Sequence, residues 1–128
     1  MIEVTHVLAI HQILIEQFGG TLGVRNLENL ESAVNRPYST FDGADLYPTT
    51  IDKAAALIES IIKNHPFVDG NKRTGYTIMR LHLIRNGVDL IASEEEKYMF
   101  VIAIAEGRLS IDEITTWIKV NSKSVEVK

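Results

Sequence analysis

The chain has 128 residues, 45% of them apolar, no cysteine and a formal charge of −4. That size suits one domain around a single core and needs no staple, while the missing cysteines exclude a disulfide framework, a thiolate metal site and a cysteine nucleophile. The acidic balance argues against direct nucleic-acid binding, which needs a basic surface. The longest apolar run, residues 99 to 105, falls far short of the roughly 20 residues that cross a membrane, and the first six residues lack the basic start of a signal peptide. A soluble, unprocessed protein of a reducing cytoplasm is expected.

Val7, Ile10, Leu14 and Phe18 recur at three- and four-residue steps and predict a helix over residues 5 to 18, stopped by Gly19-Gly20. Asn26 caps a short helix carrying Leu27, Leu30, Ala33 and Val34; Arg36-Pro37 ends it, because the residue before proline avoids helical angles. Residues 36 to 50 predict a loop with a small hairpin or flap, given Asp42-Gly43 and Tyr47-Pro48. Ile51, Ala54, Ala55, Ile58, Ile61 and Ile62 form the cleanest amphipathic stripe, with Thr49 or Thr50 as its cap and His65-Pro66 as its end.

The following helix, residues 72 to 85, carries Ile78, Met79, Leu81 and Leu83 on more than one side and is expected to be the central, most enclosed one, stopped by Asn86-Gly87. Residues 88 to 92 read equally as a short strand or a turn. Ser93 with Glu96 and Ser110 with Glu113 are capping boxes that start two further helices; Gly107 ends the first, and Leu109 staples onto Ile114 in the second. Residues 121 to 128 are expected to fray. The chain therefore reads as an all-α domain over residues 1 to 128, a compact bundle of about six helices without repeat or linker.

The stretch from His65 to Tyr76 concentrates chemistry at the mouth of a helix. Free backbone N–H groups and the positive end of the helix dipole face this loop, and Gly70 allows an anion to approach the backbone closely. Taken singly, each residue also has a plain reading. His65 titrates near neutrality and can take a proton from a hydroxyl, or it caps a helix end. Asp69 can ligate Mg²⁺, or Asp-Gly is a turn. Asn71 can donate to a phosphate, or it is the helix cap. Lys72 and Arg73 are unfavourable for the dipole in a first helical turn, so their presence asks for an anion. Phe67 is a core anchor that holds the loop down. No spacing of the other histidines suits a transition metal, and neither a phosphate-loop nor a protein-kinase signature is present.

Together, His65-Pro66-Phe67-Val68-Asp69-Gly70-Asn71-Lys72-Arg73 resembles the signature of the Fic/Doc family, helical enzymes that modify protein hydroxyls with a nucleotide. The usual Fic form is His-x-Phe-x-Asp/Glu-Gly-Asn-Gly-Arg-x-x-Arg. Here Lys72 stands at the second glycine and Tyr76 at the last arginine, and both departures look like the Doc, or death-on-curing, branch. Phe18-Gly19-Gly20, Leu30-Glu31-Ser32-Ala33 before Arg36-Pro37, and Arg85-Asn86-Gly87 are similar too, so the likeness covers most of the chain.

The resemblance implies His65 as general base, Asp69 as the Mg²⁺ ligand and Gly70, Asn71, Lys72 and Arg73 as the nucleotide phosphate site. Lys63 falls where Doc proteins often have an arginine near the nucleotide, and Arg80 lies one turn beyond Tyr76, where it partly replaces the missing arginine or faces solvent. A lysine in place of glycine fills space and adds charge, favouring a reversed ATP and transfer of its γ-phosphate. The implied protein is a toxin of a bacterial toxin–antitoxin module, a cytoplasmic kinase of Ser/Thr hydroxyls on elongation factor Tu that blocks translation. A cognate antitoxin with a segment that folds on binding would restrain it, since Glu106-Gly107 has Ile102 where an inhibitory hydroxyl residue would stand. The alternatives are a Fic-type AMP transferase and a non-catalytic module that binds phosphate or a peptide.

Overall fold

The computed structural model describes residues 1–127 as six α-helices with two small antiparallel strand pairs. In chain order the helices are α1 (Val4–Phe18), α2 (Leu27–Asn35), α3 (Thr50–Asn64), α4 (Asn71–Arg85), α5 (Glu94–Ala105) and α6 (Ile111–Val120). The mostly helical bundle expected from the sequence is what is found.

The start signals act as their chemistry requires. Asn26 accepts from the Asn29 N–H, Thr49 from Asp52, Ser93 from Glu96 and Ser110 from Glu113, each satisfying a donor that has no partner within its helix. The last three are reciprocal capping boxes, and Leu109 packs against the same apolar cluster as Ile114.

Helices α3 and α4 form the middle of the molecule and separate two apolar cores. On one side Ala54, Ile58, Ile62, Met79 and Leu83 meet Phe100, Ile104, Ile114 and Ile118 of α5 and α6. On the other, Leu57, Ile61 and Ile78 meet Val7 of α1 and Leu30, Ala33 and Val34 of α2. Gly75 allows the central pair to approach closely, because a Cβ there would lie 3.0 Å from Ile62 Cγ1 and 3.4 Å from Ile61 Cγ2.

Helix α4 is buried along one side, but the most enclosed helix is α3, in which every residue from Ala54 to Ile62 is buried. The difference from expectation has two causes. Ala54, Ala55 and Ala56 are small enough to accept neighbours on several sides, and the polar Glu59 and Ser60 are buried because Arg36 reaches both, at 2.7 Å to Glu59 Oε1 and 2.9 Å to Ser60 Oγ.

Residues 36–50 supply the hairpin anticipated there. After a short 3-10 turn at Arg36–Tyr38, β1 (Thr40–Phe41) pairs with β2 (Ala44–Asp45) in the register Thr40↔Asp45 and Phe41↔Ala44. Asp42 and Gly43, at φ 52° and 81°, form the tight turn that matches strand twist. Arg36 ties its base down by donating to the Tyr47 hydroxyl at 3.1 Å.

The tail departs from expectation. Instead of fraying from Asn121, Ser122–Ser124 forms a strand, β4, antiparallel to β3 (Val88–Leu90), with Val88↔Ser124 and Leu90↔Ser122. Ser-Lys-Ser carries no strand composition, and its backbone bonds to β3 supply the order. Residue 128, also in the expected tail, lies outside the described residues.

One buried histidine makes the central contact sensitive to acid. His82 donates from Nε2 to the Thr50 carbonyl oxygen at 3.1 Å, and burial holds its pKa below the ordinary 6.5 despite that bond. A depressed folded value means the stabilisation is present above about pH 6.5 and is lost as pH falls through the lowered value. Denaturant unfolding at pH 7.5 and pH 5 should show a loss of stability in the wild type that His82→Gln reduces.

Candidate functional site

Helix α3 ends in a left-handed residue that is not glycine: His65 has φ 53° and ψ 53°. Such a conformation costs about 1–3 kcal/mol and persists only where its surroundings impose it. Arg25 imposes it, donating from Nε to the His65 carbonyl at 2.7 Å and from Nη2 to the Asn64 carbonyl at 3.0 Å. The Asn64 and His65 carbonyls at the end of α3 are thereby satisfied, and the His65 side chain stands exposed at the edge of a cleft.

The loop that follows is braced on three sides. Residues 23–26 run antiparallel to it, with Val24 bridging Phe67, the Val68 N–H donating to the Gly23 carbonyl and the Arg25 N–H to the Pro66 carbonyl. From α1, His11 stacks on the buried Phe67 ring at 3.7 Å between centroids and 5° between planes, and its Nε2 donates to the Asp69 carbonyl at 2.8 Å. From α4, the buried Asn71 side chain accepts from the Phe67 N–H at 2.9 Å and donates to the Phe67 carbonyl at 3.0 Å. The assignment of Phe67 as an anchor fits this packing. Asn71 acts as a clamp on the loop, so an arriving anion meets its backbone N–H and not its amide.

Asp69 accepts from the Thr21 N–H at 3.1 Å and the Gly70 N–H at 2.8 Å and is otherwise exposed. Gly20 makes room for it, since a Cβ there would lie 2.7 Å from Asp69 Oδ2. Gly70, at φ 78°, begins α4 in the left-handed region, and a Cβ on it would press to 3.3 Å from Ile15 Cδ1. Lys72 is exposed, and Arg73 lies over the Phe18 ring with its guanidinium carbon 4.4 Å from the centroid.

His65, Asp69, Gly70, Asn71, Lys72 and Arg73 line one cleft of about 790 Å³. Two cations do not join them. Lys63 sits over Glu59 at 3.5 Å, where the i,i+4 spacing of α3 carries it away from the cleft, and Arg80 is held by Asp89 through a paired contact of 2.9 and 3.1 Å. Neither Lys63 nor Arg80 is among the residues that line the cleft.

Sequence reasoning missed the far wall. Helix α5 contributes Glu94, Lys97, Tyr98, Val101, Ile102 and Ala105, and Tyr76 completes it from α4. Nothing local in the sequence joins residues 94–105 to the loop. His11 had a signal, since it shares four-residue spacing with the buried Val7 and Ile15.

The donor set suits a magnesium ion carried by a nucleotide. Mg²⁺ is held through one or two carboxylates together with substrate phosphates, and Asp69 offers one exposed carboxylate on the cleft. Among the described residues no group of three His, Cys, Asp or Glu side chains could hold a metal alone. Three successive backbone N–H groups at the start of α4, of Asn71, Lys72 and Arg73, have no helical carbonyl to bond and stand beside the Lys72 and Arg73 side chains, an arrangement of the kind that suits an anion. No helix among the described residues is long and apolar enough to cross a membrane.

The family model described as Fic/DOC matches residues 1–83. A protein named Toxin Doc from Mycolicibacterium smegmatis (strain ATCC 700084 / mc(2)155) is 51% identical over 75 residues, which cover 59% of this chain and 58% of that protein. The chain thus aligns with little more than half the length of that relative. A protein named Protein kinase doc from Escherichia phage P1 is 27% identical over 107 residues, 84% of this chain and 83% of the phage protein. A match that runs from the first helix through the loop and nearly to the end of α4 makes the chain a member of the Fic/DOC family, and the names of both relatives put it on the Doc branch.

Proposed function

We propose that this protein is a Doc-type toxin that phosphorylates a Ser/Thr hydroxyl of a translation factor, elongation factor Tu being the expected target, with ATP and Mg²⁺. The observation that carries the reading is Lys72, exposed in the cleft at the start of α4, where adenylyl-transferring relatives have a glycine. An ammonium at that place adds charge and fills space beside the free N–H groups, favouring a seating in which the terminal phosphate faces the hydroxyl. The name of the phage relative supports a kinase.

In this reading His65 takes the proton from the target hydroxyl as its oxygen attacks the γ-phosphorus; the bond from that phosphorus to the β–γ bridging oxygen breaks and ADP leaves. Asp69 holds the magnesium ion, which neutralises phosphate charge when bound. Lys72, Arg73 and the N–H groups of α4 orient the phosphates, and His11, Asn71 and Arg25 keep the loop from moving as charge shifts. Catalysis then rests on positioning and preformed charge. The protein acts in the bacterial cytoplasm, restrained by a cognate antitoxin whose segment folds against it.

Label transfer tests the reading. With ATP labelled at the α or the γ phosphate and a bacterial lysate, label should reach protein only from the γ position, and mass spectrometry should find one phosphate on a Ser or Thr. Asp69→Ala should abolish the magnesium-dependent transfer. Label arriving only from the α position would establish AMP transfer, and no label from either would leave a binding module.

A further inference from the structure

We propose that Lys97 of α5 and the hydroxyl of Tyr76 form an anion subsite on the α5 side of the cleft, which takes a phosphate group of the bound nucleotide. The inference rests on the reading of the cleft as a nucleotide site and adds residues that the motif does not contain.

Both groups are polar, line the cleft and are weakly compensated. The Lys97 side chain is only 16% exposed, and its ion-pair partner is Glu94 at 3.2 Å, whose side chain is 94% exposed. A carboxylate so well hydrated compensates the ammonium poorly. The Tyr76 hydroxyl is shut off from solvent and makes no hydrogen bond of normal length, the Lys97 ammonium being the polar group that acts on it. The Lys97 ammonium lies 5.9 Å from the centroid of the Tyr76 ring, which sets the two groups side by side on one wall of the cleft.

Their protonation suits the task. Burial pulls the Lys97 pKa down, but Glu94 and Tyr76 more than offset it and the net shift is upward, leaving a cation. Burial pushes the Tyr76 phenol up against the pull of Lys97, leaving an O–H donor. Their place fits as well. Tyr76 lies one helical turn beyond Lys72 and Arg73, so the subsite continues the anion site at the start of α4. Beyond Lys97, α5 presents Val101, Ile102 and Ala105 to the cleft, which confines positive charge on this wall to one end.

Calorimetric titration of the full chain with ATP and magnesium, and separately with adenosine, tests the subsite. Lys97→Met should weaken ATP by about tenfold or more and leave adenosine unchanged, and Lys97→Arg should restore most of the loss. Tyr76→Phe should weaken ATP by a smaller factor. Glu94→Gln should tighten ATP, because it removes the competing carboxylate, an effect that a purely structural Lys97 would not give. Should Lys97→Met melt early, the Lys97→Arg and Glu94→Gln titrations decide alone. ATP binding unchanged in both Lys97→Met and Glu94→Gln overturns the subsite while leaving the nucleotide reading intact. A wild type that binds neither ATP nor adenosine overturns both.

Discussion

His65→Ala should remain folded and lose transfer from ATP by roughly 10² to 10⁴, the range typical of a positioned general base. The side chain is exposed and makes no hydrogen bond among the described residues, so its removal deletes chemistry with little packing. What holds the loop is the His65 backbone, through the Arg25 bond to its carbonyl, and that bond survives in the variant. Alanine meets the same left-handed backbone that histidine does, and the melting temperature should move little. His65→Asn makes a sharper control, because asparagine tolerates that conformation well yet cannot accept a proton near neutrality. Transfer by either variant within tenfold of wild type would remove His65 from the role of base.

Phe67→Ala should destabilise the protein by about 3–5 kcal/mol, which lowers the melting temperature by roughly 10–20 °C in a domain of this size. The ring is fully buried in the core shared by α1, α2 and the central helices, and it lies flat against His11. Removing it leaves a cavity beneath the loop and takes away the surface on which His11 is seated. Because the His11 bond to the Asp69 carbonyl depends on that seat, activity measured well below the new melting temperature should fall as well. A thermal scan and a transfer assay at low temperature separate the two effects. A variant that melts like the wild type would show that the loop is held by Asn71 and the 23–26 segment alone.

What could be read in the sequence was local. Two capping boxes, the Asn26 and Thr49 caps and the Asp42-Gly43 turn involve partners within a few residues, and each appears in the fold where its chemistry puts it. The loop motif was legible for the same reason: its residues are contiguous, and all those from Asp69 to Arg73 reach one cleft together with His65. The failures lie where distant segments decide. Arg25 reaches 39 and 40 residues along the chain to the end of α3. Lys97 and Tyr76 meet only because α5 packs beside α4. The enclosure of α3 depends on Arg36 meeting Glu59 and Ser60 from another segment, and β4 exists through pairing with residues more than thirty positions earlier. Lys63 is close to the motif in sequence, yet helical rotation sets it over Glu59 and not among the residues that line the cleft.

The gauge of the cleft is set from beneath by an absent methyl group. Ile62, which lines the cleft, rests where a side chain on residue 75 would have to go, and the two helices that meet there carry the His65 imidazole and the free amides of α4 at their facing ends. A substituent at that crossing presses on Ile62 and Ile61, which must yield or push the two helices apart. If the proposed transfer holds, the reach from proton acceptor to phosphate is governed by a contact that touches neither reactant, and the reaction can be detuned from the interior with every polar group of the motif still present.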